Sequence, residues 1–491
     1  MSSVASESKL LAKHSVIYGI GTATNKLVAF LLLPIYTQYL TTHDYGIKEL
    51  VGLSTDIIGT LMATAISSAF FRFYFDYQDQ EKKDLVLSCS YLSLGGFGLV
   101  VVIVLAFTTP VMAEYILDSP ALYTYFLISF ASMWFQTLNG IGFNLLRAQM
   151  QSVRYITFTI TKLIAAIGLN ILFVIYFRLG VLGILISTLL TSIGIFIFLN
   201  VPQLLRVGLR FSLPLVKDMV RFGFPLIWSQ LGAFVVHLSD RFFIKAYSSI
   251  SDAGLYSLGY RFGTLPGSFI SEPFNQVWQP RRLELYKQEN SEEIFGRVFT
   301  YFLLLLSFVG LGVAVLTRDI LMIIADQKFW TAYKIVPIIV LANTIFTFHY
   351  HFNIGLIIEK KTKYLAYINF SNGLFVVLLN FLLIPRYGMF GAAYATLIAF
   401  VYKVVLTYYF SSRYFKIHFE YNRIGMLLIA SVVIYLLSFW IMLGNVYLNI
   451  LVKTGFVCMF PCVLYLTGFF MDQEKAAVRN FLAARLKTQP R

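Results

Sequence analysis

His237, Arg241 and Lys245 recur at intervals of four, so on a helix they form one polar stripe. Arg261 follows on the next apolar segment. Counted from the turn between the two segments, Arg241 and Arg261 lie at matched depth, roughly 10 Å in at 1.5 Å per residue. Asp240 adjoins Arg241 and, on a continuous helix, points about 100° away. Two guanidiniums with no evident acid between them suggest a cationic cavity wall, suited to bidentate recognition of phosphate. A structural network is the alternative. Lys26 and Asp56 fall midway along the first and second apolar segments. They either pair across adjacent helices or bracket a polar cavity. Lys162 is a further cation within an apolar segment, a costly position unless it faces a bundle interior or water. Lys48, Lys403 and Lys453 lie nearer segment ends and are expected to snorkel to the interface. Glu272 sits between Pro266 and Pro273, which should kink its helix. Asp56, Glu272, Asp240 and the histidines could each carry a coupling proton or sodium ion. His349 and His351 occupy opposite flanks of one helix, which favours polar packing over a metal face.

Enzymatic chemistry has no foothold in the sequence. There is no phosphate-binding P-loop, no HExxH, no nucleophile elbow and no acidic loop for a metal-bound sugar nucleotide. Cys89, Cys458 and Cys462 lie in apolar stretches without histidine or carboxylate company, and read as lipid- or core-facing residues. No cofactor or metal is called for.

The elements that carry these residues are membrane spans. Of 491 residues, 58% are hydrophobic and only 13% charged, against about a quarter in soluble domains. The mean hydropathy is +0.74. On a ruler of roughly 20 apolar residues per crossing, spans fall near 15–37, 45–71, 85–108, 121–146, 155–177, 180–202, 222–248, 254–279, 297–317, 333–358, 364–384, 388–411, 424–443 and 446–470. The net charge of +15 could suggest nucleic acid, but the basic residues cluster between apolar segments. With the N-terminus inside, 26 of the 39 Lys and Arg fall on inner segments, six outside and seven within spans. That asymmetry fits the positive-inside rule and cytoplasmic termini. The N-terminus lacks the pattern of a cleaved signal peptide. The basic stretch 203–221 reads as an amphipathic connector. The expected class is therefore an all-α polytopic membrane protein of about fourteen helices.

One phrase occurs twice. RLGVLGILIST begins at Arg178 and RYGMFGAAYAT at Arg386, 208 residues apart. At the same offset Asp44 and Gly46 match Asp252 and Gly254, and Asn170 and Asn380 sit near the ends of the helices that precede the two phrases. The order of landmarks implies two homologous six-helix bundles, roughly 15–202 and 222–411, plus two added helices. As domains these are 1–210, 211–420 and 421–491. Such repeats suit halves that rock against each other around a central site. The Arg-x-Gly-x-x-Gly turns themselves read as structural, with glycine letting the chain reverse.

LLLPIYTQYLTTHDYG, SDRFFIKAYSSISDAGLYSLGYR and the doubled turn resemble the polysaccharide flippases of O-antigen type. These form the oligosaccharide-lipid branch of the exporter superfamily that also holds the multidrug antiporters. The resemblance covers nearly the whole chain. It implies translocation of an undecaprenyl-diphosphate-linked oligosaccharide to the outer leaflet of the bacterial cytoplasmic membrane, with cavity cations holding the anionic head. By position, Lys26, Arg241 and Arg261 are the candidates, joined by Lys162 and His237. The implied partners are the lipid-linked substrate, membrane lipids and the polymerase and other polysaccharide-assembly proteins, not nucleic acid. A multidrug antiporter would favour an acidic cavity, and a membrane glycosyltransferase or polymerase a sizeable loop or acidic cluster.

Overall fold

The computed structural model describes residues 30–441, 443–472 and 474–476. Every regular element among them is helical. In chain order these are α1 (Leu33–Tyr39), α2 (Thr42–Asp76), α3 (Gln80–Leu117), α4 (Tyr123–Ala148), α5 (Ser152–Asn170), α6 (Gly180–Ile195) and α7 (Val201–Val207). There follow α8 (Leu213–Leu238), α9 (Asp240–Tyr247), α10 (Ile250–Gly263), α11 (Glu272–Leu285), α12 (Ser291–Ile324) and α13 (Val336–Phe352). The last are α14 (Ile354–Ile358), α15 (Thr362–Ser411), α16 (Tyr421–Phe439) and α17 (Val446–Leu466). Short π-helical segments continue α5 (Ile171–Tyr176) and α6 (Phe196–Asn200) and precede α11 (Gly267–Ser271).

Ten described helical segments are long and apolar enough to cross a membrane. The spans expected from 45–71 onward each find a helix, and that expected at 15–37 falls mainly outside the described residues. The expected pair 364–384 and 388–411 forms the two arms of α15, which bends at Gly388 with φ +54° and ψ −132°. The expected connector at 203–221 is shorter than the sequence implied. The chain turns at Gly208 (φ +71°) and α8 begins five residues later, at Leu213. Arg206 and Arg210 on this turn meet Asp84 (3.6 Å) and Glu81 (2.9 Å) of α3.

The chain gathers into two compact units. The first comprises residues up to 257 with 324–329 and 380–389. Its core includes Phe70, Tyr74, Leu87, Tyr91, Leu138, Ile141 and Met219. A polar chain crosses this unit with its groups satisfied: Tyr91 Oη donates to Asn200 Oδ1 (2.6 Å), Asn200 to Asn139 (2.6 Å), and Asn139 to the Ser192 carbonyl (2.9 Å). The second unit holds 258–323, 330–379 and 390 onward. Phe299, Leu303, Leu427, Ile434 and Phe460 anchor one of its cores, and Trp278, Phe295, Ile354 and Ile417 another.

The 208-residue offset recurs in the geometry of the first unit. Thr41 caps α2: its hydroxyl accepts from Asp44 N (3.0 Å) and Asp44 Oδ2 accepts from Thr41 N (3.0 Å). Ser249 repeats the hydroxyl half of this cap on α10, accepting from Asp252 N (3.0 Å), while the Asp252 carboxylate accepts from the Ser248 hydroxyl. Beyond these caps the two helices touch through glycine. A Cβ on Gly46 would lie 2.0 Å from the Ile250 carbonyl oxygen, and one on Gly254 2.6 Å from that of Thr42. Residues 42 and 250 are themselves one offset apart, so each helix presents its glycine to the other's matching carbonyl, as in a two-fold contact. Gly180 (φ +56°) and Gly388 (φ +54°) of the doubled turn share a positive φ, which glycine adopts without strain.

Candidate substrate-binding site

In the first unit the polar stripe is interrupted. The expected seventh span breaks at Ser239 into α8 and α9. Asp240 therefore stands in the first turn of a new helix, where a carboxylate satisfies orphan backbone donors. Its Oδ1 accepts from Arg241 N (3.0 Å) and Arg241 Nη1 (2.5 Å), and its Oδ2 from Tyr256 Oη (2.5 Å). Arg241 Nη1 also donates to the His237 carbonyl (2.6 Å), and the guanidinium lies 5.1 Å from the Tyr256 ring centre. The expectation that Arg241 has no acid beside it is thus corrected: Arg241 and Asp240 are both about 4% exposed and belong to one hydrogen-bonded network. Lys245, further along α9, reaches Asp118 and the Tyr115 carbonyl, each at 2.6 Å. Arg261 lies near the end of α10 in the other unit, where its carbonyl accepts from Thr264 (3.0 Å). Lys26 lies outside the described residues.

Lys162 is differently placed. It falls midway along the helical stretch Ser152–Tyr176, half-buried, with no ion pair or side-chain hydrogen bond among the described residues. Asp56 is exposed on α2 and likewise has no ion pair among them. Of the landmark asparagines, Asn170 accepts from Tyr36 Oη (3.1 Å), whereas the carboxamide of Asn380 is buried without a hydrogen-bond partner among the described residues.

In the second unit, two expectations of snorkelling fail. Lys453 is buried and paired with Asp319 at 2.6 Å, across α17 and α12. Lys403 is also buried, with its ammonium 4.6 Å from the centre of the Phe346 ring and no carboxylate partner among the described residues. Both side chains stop inside the protein because a counter-charge or an aromatic face is nearer than water. Arg282, counted in the sequence as an inner-loop residue, is 2% exposed. It donates to the Tyr350 carbonyl, to Asn353 Oδ1 (2.7 Å) and to Gln279 Oε1, and so ties α11 to the end of α13. His351 is packed rather than poised for relay: Nε2 meets the Phe295 carbonyl at 2.9 Å and the ring stacks on Trp278.

The eighth span is irregular around Pro266, and Pro273 lies in the first turn of α11. The α-helix ends at Gly263, and π-helical Gly267–Ser271 leads into α11. This irregular stretch lines a cavity of about 630 Å³. One wall carries Thr264, Ser268, Ser271, Glu272, Asn275, Gln276 and Gln279, at spacings of one, three and four that keep them on one helical face. The facing wall is Asn343, Phe346, Thr347 and Tyr350 of α13. Sequence reading singled out Glu272 from this set and passed over its neighbours. The polar stripe at helical period inside an apolar segment was the signal available. A second, almost wholly apolar crevice of about 260 Å³ lies between α16 and α17, lined by Met426, Ile429, Val433, Phe456 and Met459.

Long apolar helices, paired or caged charges within them, and a polar cavity along an irregular helix define a multi-pass, all-α membrane protein. Solved structures agree on that fold. The lipid II flippase MurJ, in an inward closed conformation, matches with a TM-score of 0.72 at 16% identity, covering 92% of this chain and 99% of that one. An inward-facing multidrug resistance transporter of the MATE family matches at 0.62 and 15% identity, covering 82% and 95%. Residues 11–286, more than half of the chain, match the family described as polysaccharide biosynthesis protein, and the chain belongs to that family. Among curated relatives, an uncharacterized membrane protein of Haemophilus influenzae is 24% identical over 375 residues, 73% of this chain and 86% of that one. A probable low-salt glycan biosynthesis flippase, Agl15, of Haloferax volcanii is 24% identical over 278 residues, 54% and 57% of the two chains.

Proposed function

We propose that this protein is a flippase that moves a lipid-linked oligosaccharide, of the undecaprenyl-diphosphate type, across the bacterial cytoplasmic membrane. In this reading residues 1–210 and 211–420 are homologous bundles that open in turn to the two faces, and 421–491 add two helices and a cytoplasmic tail. The repeated caps and the reciprocal glycine contact support the two-fold design. Family membership supports the glycan, and the flippase named among the relatives supports the reaction.

The observation that carries the reading is Lys162. A membrane-embedded cation without an acid partner is costly unless an aqueous cavity or an anionic ligand compensates it. A diphosphate head supplies that charge, whereas a cationic drug would face repulsion. Arg261 and Lys26, cations implied by the resemblance, complete the set proposed for the head group. Arg241 and His237 are proposed to shape the wall beside it. The apolar crevice between α16 and α17 suits a prenyl chain. Asp56 and Glu272 remain the coupling-ion candidates, and Asp240 serves Arg241. The polymerase and other assembly proteins would act on the delivered glycan.

Deleting the gene should accumulate lipid-linked oligosaccharide on the cytoplasmic face and abolish surface glycan. Normal surface glycan in the deletion strain, with no second flippase present, would refute the proposal.

A further inference from the structure

The flippase reading accounts for the cations and, Glu272 aside, gives no role to the lining of the 630 Å³ cavity of the second unit. The volume lies in the roughly 300–1,000 Å³ range of small-molecule sites. Its lining contains no lysine or arginine and a single carboxylate, Glu272. That composition suits neither a phosphate nor a divalent cation. What it offers is neutral hydrogen-bonding capacity at a depth where the sequence is otherwise apolar, and unsatisfied polar groups there are costly.

Several of those groups have nothing to bond among the described residues. The Ser271 hydroxyl is buried and has no hydrogen-bond partner among the described residues. The carboxamides of Asn275 and Gln276 make no hydrogen bond among the described residues. Gln279 is held differently: its Oε1 accepts from buried Arg282, which leaves its amino group to donate. Across the cavity, Phe346 supplies a ring, and Tyr350 a ring and a hydroxyl that makes no hydrogen bond among the described residues. Paired donors and acceptors opposite aromatic rings match a ligand with many hydroxyls on one edge and C–H groups on its faces.

We infer that this cavity is a sugar-binding subsite that holds the neutral glycan portion of the substrate, apart from the charged diphosphate. The inference rests on the flippase reading for the identity of that substrate. Arg282 acts as a positioning residue, fixing the amide of Gln279.

The test uses the purified full-length protein in detergent and three probes: a bare prenyl diphosphate, the same lipid carrying a disaccharide, and the free disaccharide. The variants are Asn275→Leu with Gln276→Met, which preserve shape, and Tyr350→Phe, which preserves the ring. Each lost hydrogen bond should weaken the glycosylated lipid about fivefold and leave the bare lipid unchanged. An equal loss for both lipids, or none for either, overturns the subsite. If wild-type protein binds neither lipid, the flippase reading falls. The free disaccharide then decides the subsite alone: binding that the variants weaken supports it, and no binding overturns it. Unfolding midpoints matching wild type guard against misfolded variants, with Tyr350→Phe the mildest of the three.

Discussion

The glycine contact between α2 and α10 predicts a graded response to one added methyl group. A Cβ at Gly46 would sit 2.0 Å from the Ile250 carbonyl oxygen, where ordinary contact begins at 3.4 Å, so the helices must part by about 1.4 Å. At Gly254 the nearest atoms are the Thr42 oxygen at 2.6 Å and Gly46 N at 2.7 Å, requiring roughly 0.8 Å. These obstacles are backbone, which cannot rotate aside as a side chain would. Gly52, further along α2, has nothing within 4 Å of its Cβ position. Overpacking costs about 1–3 kcal/mol, and an open helical Gly→Ala gains up to about 1 kcal/mol. Thermal unfolding of purified variants in one detergent should therefore rank Gly46→Ala lowest, Gly254→Ala next, and Gly52→Ala at or above wild type. A Gly46→Ala midpoint equal to that of Gly52→Ala would refute the close approach, and with it the two-fold contact that relates the repeats.

Further outcomes follow from the charges. Lys453→Met leaves Asp319 buried and uncompensated, which should cost about 3–5 kcal/mol. Adding Asp319→Leu should recover most of the loss, as a double-mutant cycle on unfolding midpoints would record. Glu474 is pushed up by burial, but hydrogen bonds from Tyr301 and Met471 N and the Arg423 guanidinium outweigh this and hold its carboxyl below the usual range. A depressed carboxylate stabilises the fold above its unfolded value near 4.5 and loses that contribution as pH falls through the folded value. The acid limb of a stability–pH profile should therefore flatten in Glu474→Gln. Lys162→Ala should reduce surface glycan at unchanged protein level, and Lys162→Arg should retain most of it; equal output from all three proteins would remove Lys162 from the site.

The spans were legible because about 20 apolar residues suffice to mark a crossing whatever they pack against. The repeat was legible through its punctuation, since Gly180 and Gly388 occupy a conformation that few residues replace. Charge pairing was less so. Lys453 and Asp319 are 134 residues apart, and no local pattern joins them. Asp240 and Arg241 were separated by the 100° between helix neighbours, but the long guanidinium side chain folds back onto the adjacent carboxylate. Lys403 stayed inside because Phe346, 57 positions earlier, supplies its ring from α13. The neutral cavity escaped notice for a different reason. Amides and hydroxyls carry no charge to attract attention, although their helical spacing from Thr264 to Gln279 was present in the sequence throughout.

Lipid movement in reconstituted vesicles tests the central claim most directly. A fluorescent prenyl-diphosphate oligosaccharide distributed over both leaflets is exposed to a membrane-impermeant reductant added outside. Vesicles carrying the protein should lose the protected inner-leaflet fluorescence, and vesicles carrying Lys162→Ala should lose it more slowly. Retention of the protected half, equal to that in protein-free vesicles, would contradict the account.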